Sequence, residues 1–528
     1  MNTTAILSML HESPAGSAVR QFRGEPVLAW TLRRLCAASD LNGAAIVCWE
    51  DQAEAATAAA AESGAEVCSQ GPRKYLPAME SVSAARRWAD GWRGGLLGSC
   101  EFDRGFHAAS IAPVASKFDA AAILLVDPSA GLVDPTLIDE MLAHGRKNPD
   151  VDLHFSQAAP GLSGVRLRTD FVVRLASAGR HPGTLLNYHP DAPRHDPISD
   201  PACVPVPVAL ARTTRRFTLD SARQIAAMEK ATAHLNGQLI ATESLSLLAA
   251  IEAVDHADEL PREIVLELNT DRATDAIFRA TKRLSIQRPP MELESAKRIF
   301  SELAGADDIR LIIAGAGDPL LHEALPEFIA AARSAGIAAI SVETDFLAAP
   351  ADQVSALAAS EVDIVSVHLP SATAQTYRQV MGVDGYDAAI ENIKQFVVRR
   401  AAAGRAVPLL VPTFVKCRQN LPEMEHWYDQ WLRAVGCAVI TGPSDFGGMI
   451  PDVSAADMSS PNRKPCVSLS RRFMVLSDGT IVSCEQDVLG RQALGRDLHQ
   501  AWKRANEMRA RSWEKYPICS QCKQWNRP

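Results

Sequence analysis

No cysteine occurs between Cys203 and Cys417, so residues of that long middle stretch cannot hold a metal cluster through thiolates or form a disulfide. Also missing is any run approaching 18 apolar residues, which excludes a membrane-spanning helix. The opening residues, MNTTAILSMLHE, lack a basic n-region and reach His11 and Glu12 after a short apolar stretch, so no leader is expected and the predicted location is cytoplasmic. Basic character is scarce as well. A formal net charge of -8, with no basic stripe interleaved with aromatics, argues against a broad nucleic-acid surface. There is no internal repeat and no low-complexity tract.

What is present is an ordinary globular balance of 528 residues, 47% hydrophobic and 22% charged, enough for roughly two to four domains. Of 11 cysteines, Cys36, Cys48, Cys68, Cys100, Cys203, Cys417 and Cys437 are scattered and read as reduced thiols of a cytosolic protein. The other four gather near the end: Cys466 and Cys484 in a C-x12-G-x4-C spacing, then Cys519 and Cys522 as CxxC. Between the first two lies FMVLSDGTIVSC, whose apolar alternation around Asp478-Gly479 predicts a β-hairpin that delivers Cys484 rigidly. PICSQC then folds back as a knuckle, because two intervening residues let both sulfurs face one centre. Four thiolates complete one coordination shell. One 4Fe-4S cluster, a closed zinc site and four buried free thiols all fit the pattern.

From Ile264 to Ile440, six short β-like runs alternate with helical stretches: IVLEL, IRLIIAG, AAISVET, VDIVSVHL, VPLLVPTFV and CAVIT. In MELESAKRIFSELAG, Ala296, Ile299, Phe300 and Leu303 fall on one helical face. Gly305, Gly336 and Gly404 stand where left-handed helix caps are expected. Near-continuous apolar strands separated by helices predict a parallel sheet covered by helices, open or closed into a barrel, with functional residues at strand C-terminal ends.

The segments IVLELNTDRATDAIFRA, MELESAKRIFSELA, LIIAGAGDPLLH and AAISVETDFL resemble the opening of a radical S-adenosylmethionine barrel, and the terminal cysteines resemble the SPASM or twitch auxiliary-cluster domain that often follows it. The likeness covers about half the chain. It implies a CxxxCxxC loop after the first strand, binding a 4Fe-4S cluster whose open iron is chelated by the methionyl part of the cofactor. Here those positions are Ala273, Ile277 and Ala280, which carry no donor atom. Gly315, Gly317, Asp318 and Pro319 resemble the family's glycine-rich loop for the methionyl amine, with Asp318 where Glu is usual, and Glu343 resembles its polar group toward the ribose. A tight β–α turn and helix caps also account for these residues. Met291 and Glu294 read as the start of a helix.

The amino-terminal part reads as a separate α/β module. TTAILSML, NGAAIVCW and DAAAILLVDP are parallel strands by pattern, and HESPAGSAVRQFRGEP is a loop opening the helix VLAWTLRRLCAA. Their order resembles the nucleotidyltransferase fold of GT-A type found in cytidylyltransferases and the spore-coat polysaccharide family. That resemblance implies a phosphate-facing Gly16, Ser17 and Arg20, and metal carboxylates at Asp127 and Asp220 holding Mg. Departures are Gln21 and Arg23 in place of a lysine, and the long block DPSAGLVDP. Turn or cap roles suit the two aspartates equally. The glycine- and aromatic-rich ADGWRGGLLGSCEFDRGFH reads as a pocket-lining loop.

The expected organisation is α/β throughout: a nucleotidyltransferase-like domain over 1–235, a helical linker over 236–260, a radical-SAM-like partial (β/α)6 barrel over 261–445, and a small SPASM- or twitch-like domain over 446–528. A proline-rich stretch from His181 to Pro207 reads as an excursion within the first. Three functions follow. One is a radical-SAM-derived iron–sulfur protein of surface-glycan or nucleotide-sugar metabolism, acting on a small precursor. Another is a nucleotidyl- or glycosyltransferase with a structural barrel. The third is a non-catalytic pseudoenzyme that binds a metabolite or a protein partner. One 4Fe-4S cluster, with zinc as competitor, is the expected metal centre; S-adenosylmethionine and a Mg-nucleotide stay open as further ligands.

Overall fold

The computed structural model describes residues 2–94, 96–192, 197–235, 237–254, 259–457, 466–510 and 515–525. It falls into two compact units, Met1–His256 and Ala257–Pro528.

The first unit is built on a seven-stranded mixed sheet of β1 (Thr3–Ser8), β2 (Ala44–Cys48), β3 (Glu66–Ser69), β4 (Ala122–Val126), β5 (Leu153–Ser156), β6 (Val165–Arg168) and β7 (Cys203–Val204). Their spatial order is β3-β2-β1-β4-β6-β5-β7. β1 is parallel to both neighbours, Ala5 lying opposite Ala44 and Leu124, and β6 runs antiparallel to β4. Every residue of β1 and β4 is buried. The reason is a core on each face: Ile6 packs with Ile123 and Phe155, while Ala5 and Leu7 pack with Leu32 and Ile138. A third cluster joins Leu239, Leu247, Leu248 and Ile251 to Phe22, Val27 and Phe217. The expected linker therefore packs largely into the first unit, apart from residues 236 and 255–258, which lie outside the described residues.

The second unit contains β8 (Glu263–Leu266), β9 (Arg310–Ile313), β10 (Ala339–Thr344), β11 (Ile364–His368), β12 (Leu409–Val415) and β13 (Val439–Thr441), each parallel to the next. The parallel pairing agrees with the six apolar runs, and strand order in space follows strand order in sequence. Gly305, Gly336 and Gly404 follow three intervening helices at φ of +98°, +86° and +67°, the left-handed conformation that ends a helix without a Cβ clash. The hairpin also forms. β14 (Arg472–Val475) turns at Asp478-Gly479, with Gly479 at φ +83°, into β15 (Ile481–Val482), and β16 (Ala493–Gly495) adds to it. β14 pairs in parallel with β8, Phe473 opposite Ile264. The region 446–528, expected as a small domain of its own, thus shares one nine-stranded sheet with the parallel strands. Residues 458–465, inside the expected break, lie outside the described residues. No helix among the described residues is long and apolar enough to cross a membrane.

Candidate functional site

The loops leaving β8, β9 and β10 meet at the glycine segment 315–317. Gly315 sits at φ +147°, and a Cβ there would lie 2.7 Å from Glu267 Cγ; a Cβ at Gly317 would collide with Asn269. Both glycines are required by close approach of the β8 loop. Glu267, fully buried, accepts two bonds of 2.8 Å from Arg288, one of 3.0 Å from the Ala316 N–H and one of 3.1 Å from the Ser477 N–H. One carboxylate thereby fastens the β8 loop, the glycine loop and the hairpin turn.

The carbonyls of the glycine loop are already in use. Arg272 donates to Ala316 O at 3.1 Å and Gly317 O at 2.5 Å, and its Nη1 lies 2.6 Å from Asp345 Oδ2. Thr274 Oγ1 donates to the same Asp345 oxygen at 2.5 Å. Burial alone would raise the Asp345 carboxyl, but Arg272 and His368 outweigh it and hold it well below the usual carboxylate range. Asp318, 2% exposed, caps the turn at Pro319–Leu321 by accepting from Leu320 N, and takes bonds of 2.9 Å from Thr344 Oγ1 and Asp345 N. Its carboxylate is fully occupied within the chain.

Ile277 and Ala280 have packing roles, and Ala273 is half-buried. Ala280 joins an apolar cluster with Ile286, Ala316 and Phe446, and Ile277 lies against the main core. No residue at these positions can ligate iron, so this loop does not fit a cluster.

At the strand C-terminal ends lies a cavity of about 210 Å³, to which Arg279, Thr281, Glu343, His368, Ser444 and Gln486 contribute. Glu343 Oε2 is 3.8 Å from His368 Nε2, and Arg279 Nη2 is 3.0 Å from the same ring nitrogen. A second cavity, about 290 Å³, is lined by Cys466, Cys484, Cys519 and Cys522 together with Leu469, Ile518 and Trp525. The two share Thr441, Gly442, Ser444, Arg472, Glu485 and Gln486 along their walls. Three segments bring the four sulfurs there: the approach to β14, the end of the hairpin, and the helix Pro517–Gln521. The Gln524 N–H donates to Cys522 Sγ at 3.2 Å. Burial, then the charge of Glu485, pushes the Cys484 thiol up, so a thiolate there calls for a nearby positive centre. Among the described residues, no three His, Cys, Asp or Glu side chains converge tightly enough to clasp a single ion.

In the first unit, Asp127 and Asp220 come together, as their expected roles require, but a guanidinium stands between them. Arg104 Nη1 is 3.2 Å from Asp220 and its Nε 3.9 Å from Asp127, and Arg216 also pairs with Asp220. Asp127 additionally accepts from Ser129 N at 2.9 Å and Ser129 Oγ at 2.6 Å, the turn role. The loop 89–107 supplies Arg104 and also Glu101, whose carboxyl is pushed up to about 8 by burial. Gly16 precedes the short turn Ser17–Val19, followed by Arg20. The donors of this loop are taken as well: Glu12, 6% exposed, accepts from the Ser17 hydroxyl and from Ala18 N at 3.1 Å. Sequence reasoning passes over Glu12, Arg104, Arg272, Arg279, Asp345 and His368 as site residues. The signals available were Arg272 immediately before the first vacant ligand position and the density of charge in DRGFH.

No family model matches the chain. An uncharacterized protein of Treponema pallidum (strain Nichols) is 33% identical over 104 residues, 19% of this chain, and the chain spans only 29% of that relative's length. Among solved structures, it is similar to BtrN in complex with AdoMet and 2-DOIA, at 16% identity over 50% of this chain and 94% of that one, with a TM-score of 0.33. It is similar to Streptococcus suis SuiB bound to S-adenosylmethionine, at 12% identity over 57% of this chain and 84% of that one, with a TM-score of 0.40. A cytidylyltransferase from Leptospira borgpetersenii serovar Hardjo-bovis (strain JB197) matches at 12% identity over 48% of this chain and 93% of its own, with a TM-score of 0.34.

Proposed function

We propose that this chain is a radical-SAM-like barrel protein that holds one auxiliary 4Fe-4S cluster on Cys466, Cys484, Cys519 and Cys522 and has no usual route to a 5'-deoxyadenosyl radical. Its setting, on this reading, is surface-glycan or nucleotide-sugar metabolism, with a small precursor as ligand. The observation that carries the proposal is the single cavity lined by all four cysteines, beside a first-strand loop whose ligand positions are alanine and isoleucine. The donor set fits the group. Four soft sulfurs on the wall of one space of about 290 Å³, part apolar and part polar, have more room than one tetrahedral zinc with Zn–S bonds of about 2.3 Å would take. When bound, the cluster supplies a one-electron centre. The chain's own residues fix its four thiolates on a sheet-anchored hairpin and a short helix, and shield them with Leu469, Ile518 and Trp525.

The test is anaerobic purification followed by incubation with dithionite and S-adenosylmethionine. The expected result is no catalytic 5'-deoxyadenosine, because an electron must reach the cofactor through a directly ligated iron and Arg272 already occupies the carbonyls assigned to the methionyl amine. Turnover absent from a cluster-free control would show that another ligand set replaces the missing one.

The meeting of Asp127 and Asp220 favours the transferase as a second reading. Against it, Arg104 stands where a divalent cation would bridge them, and Glu12 takes the loop donors expected for phosphate. Calorimetry with CTP and Mg is expected to give no heat. Binding that disappears in Asp127→Ala would restore the transferase, and silence across CTP and UDP-sugars moves weight to a metabolite-binding pseudoenzyme.

A further inference from the structure

Three arginines approach the 210 Å³ cavity and its glycine loop, and their ion pairing differs. Arg272 is paired with Asp345 at 2.6 Å. Arg472 is paired with Glu263 at 2.7 Å and Glu485 at 3.1 Å. Arg279 has no carboxylate within ion-pair distance among the described residues. Its Nη2 reaches only the His368 ring, at 3.0 and 3.1 Å, and its Nε is shut off from solvent without a hydrogen-bond partner. Burial first, then the neighbouring Arg272 charge, pushes the Arg279 guanidinium down to about 10, outweighing the partial compensation from the charges of Asp345, Glu343 and Asp318. Such a group costs stability unless an anion joins it.

The rest of the wall narrows the ligand. Glu343, 35% exposed, touches His368 and can only accept hydrogen bonds. Thr281 spends its proton on Ala316 O at 2.6 Å and keeps acceptor capacity, while Gln486 bonds Ser444 through its oxygen and has its amide N–H groups to offer. Acceptors and donors flanking one cation suit hydroxyl groups, whereas Glu343 would repel a second anionic group at the far end of the ligand. The ammonium of an amino-acid ligand would have to share the glycine-loop carbonyls with Arg272, which already donates to Ala316 O and Gly317 O.

We propose that this cavity is a binding site for a small hydroxylated compound with one anionic group, a sugar acid or sugar phosphate, with its carboxylate or phosphate seated on Arg279 and its hydroxyls on Glu343, Thr281 and Gln486. The site stands in the loop where a cluster would otherwise be expected, and it makes the loss of that cluster an exchange of ligands. It depends on the cavity alone, so zinc at the cysteines would sink the iron–sulfur reading and leave this one standing.

Calorimetry on the full chain, purified anaerobically, with D-glucuronate, D-glucose 6-phosphate and D-glucose tests it. At least one of the two anions binds and glucose does not; the tighter of the two identifies carboxylate or phosphate as the source of charge. Arg279→Met weakens that binding by roughly tenfold to a hundredfold. Because the guanidinium lacks an ion-pair partner, Arg279→Met melts at or above the wild-type temperature without ligand. Absence of heat from both anions, equal heat from glucose, full binding by Arg279→Met, or a much lower melting temperature for that variant would each overturn the proposal.

Discussion

Arg272→Met should destabilise the second unit by about 3–5 kcal/mol, the usual consequence of removing one member of a buried ion pair. Asp345, 2% exposed, would keep only the weaker support of His368 and Thr274, and Gly317 O would lose its donor while Ala316 O kept only Thr281. Lysine cannot substitute. One ammonium cannot reach a carboxylate and two carbonyls set out to match a planar fork, so Arg272→Lys should recover only a minor part of the loss. Urea unfolding followed by circular dichroism measures both, and a change under about 1 kcal/mol in the methionine variant would remove Arg272 from its assigned place. The pH dependence supplies a second check. The folded Asp345 carboxyl lies below its unfolded value of about 3.9. Its contribution is therefore complete above that pH and is lost as pH falls through the lower folded value. In Arg272→Met the same carboxyl, still buried, gains by protonation. The gap between variant and wild type should accordingly narrow as the solution is acidified below pH ~4.

The contrast between Arg272 and Arg279 also marks how far the amino-acid sequence can be read. Strands β8 to β12 are legible because each is a short apolar run that is largely buried, β13 because it is a short apolar run after a capping glycine although Ile440 and Thr441 are exposed, and the caps at Gly305, Gly336 and Gly404 because only glycine takes positive φ cheaply. The hairpin at Asp478-Gly479 is legible from its turn residues. Its attachment beside β8 is not, since strand pairing between positions 264 and 473 leaves no local trace. The same holds for side-chain partners. Arg272, Asp345 and His368 come from three strand ends and meet only after the sheet forms. The coming together of Asp127 and Asp220 is foreseeable from the resemblance, yet Arg104 between them is not, because nothing in the spacing of DRGFH specifies which acid it faces. The glycine loop shows the limit most sharply. Its sequence resembles a ligand cradle, and the donors filling that cradle belong to an arginine over 40 residues earlier.

Cys484→Ser should reduce iron and labile sulfide from about four of each per chain to near zero, while leaving the far-ultraviolet circular dichroism spectrum almost unchanged. The first effect follows from donor chemistry: a serine hydroxyl is a far poorer iron donor than the terminal thiolate it replaces, and the three remaining cysteines leave one iron without its protein ligand. The second follows from the sheet. β14 is held by β8 along Glu263 to Leu266 and by Arg472 on Glu263, contacts that involve no cysteine, so the hairpin keeps its place without the metal. Cys519→Ser should behave identically, since its sulfur lines the same space from the helix side. Cys437→Ala provides the control. Cys437 is buried, its thiol donates to Leu410 O at 3.2 Å, and it contributes nothing to the cavity, so its loss should lower stability slightly and leave iron content intact. Stoichiometric zinc without labile sulfide in the wild-type chain would replace the cluster by a closed tetrahedral site. The cysteine serine variants would then lose zinc together, and the extra room in the 290 Å³ cavity would have to close around one ion.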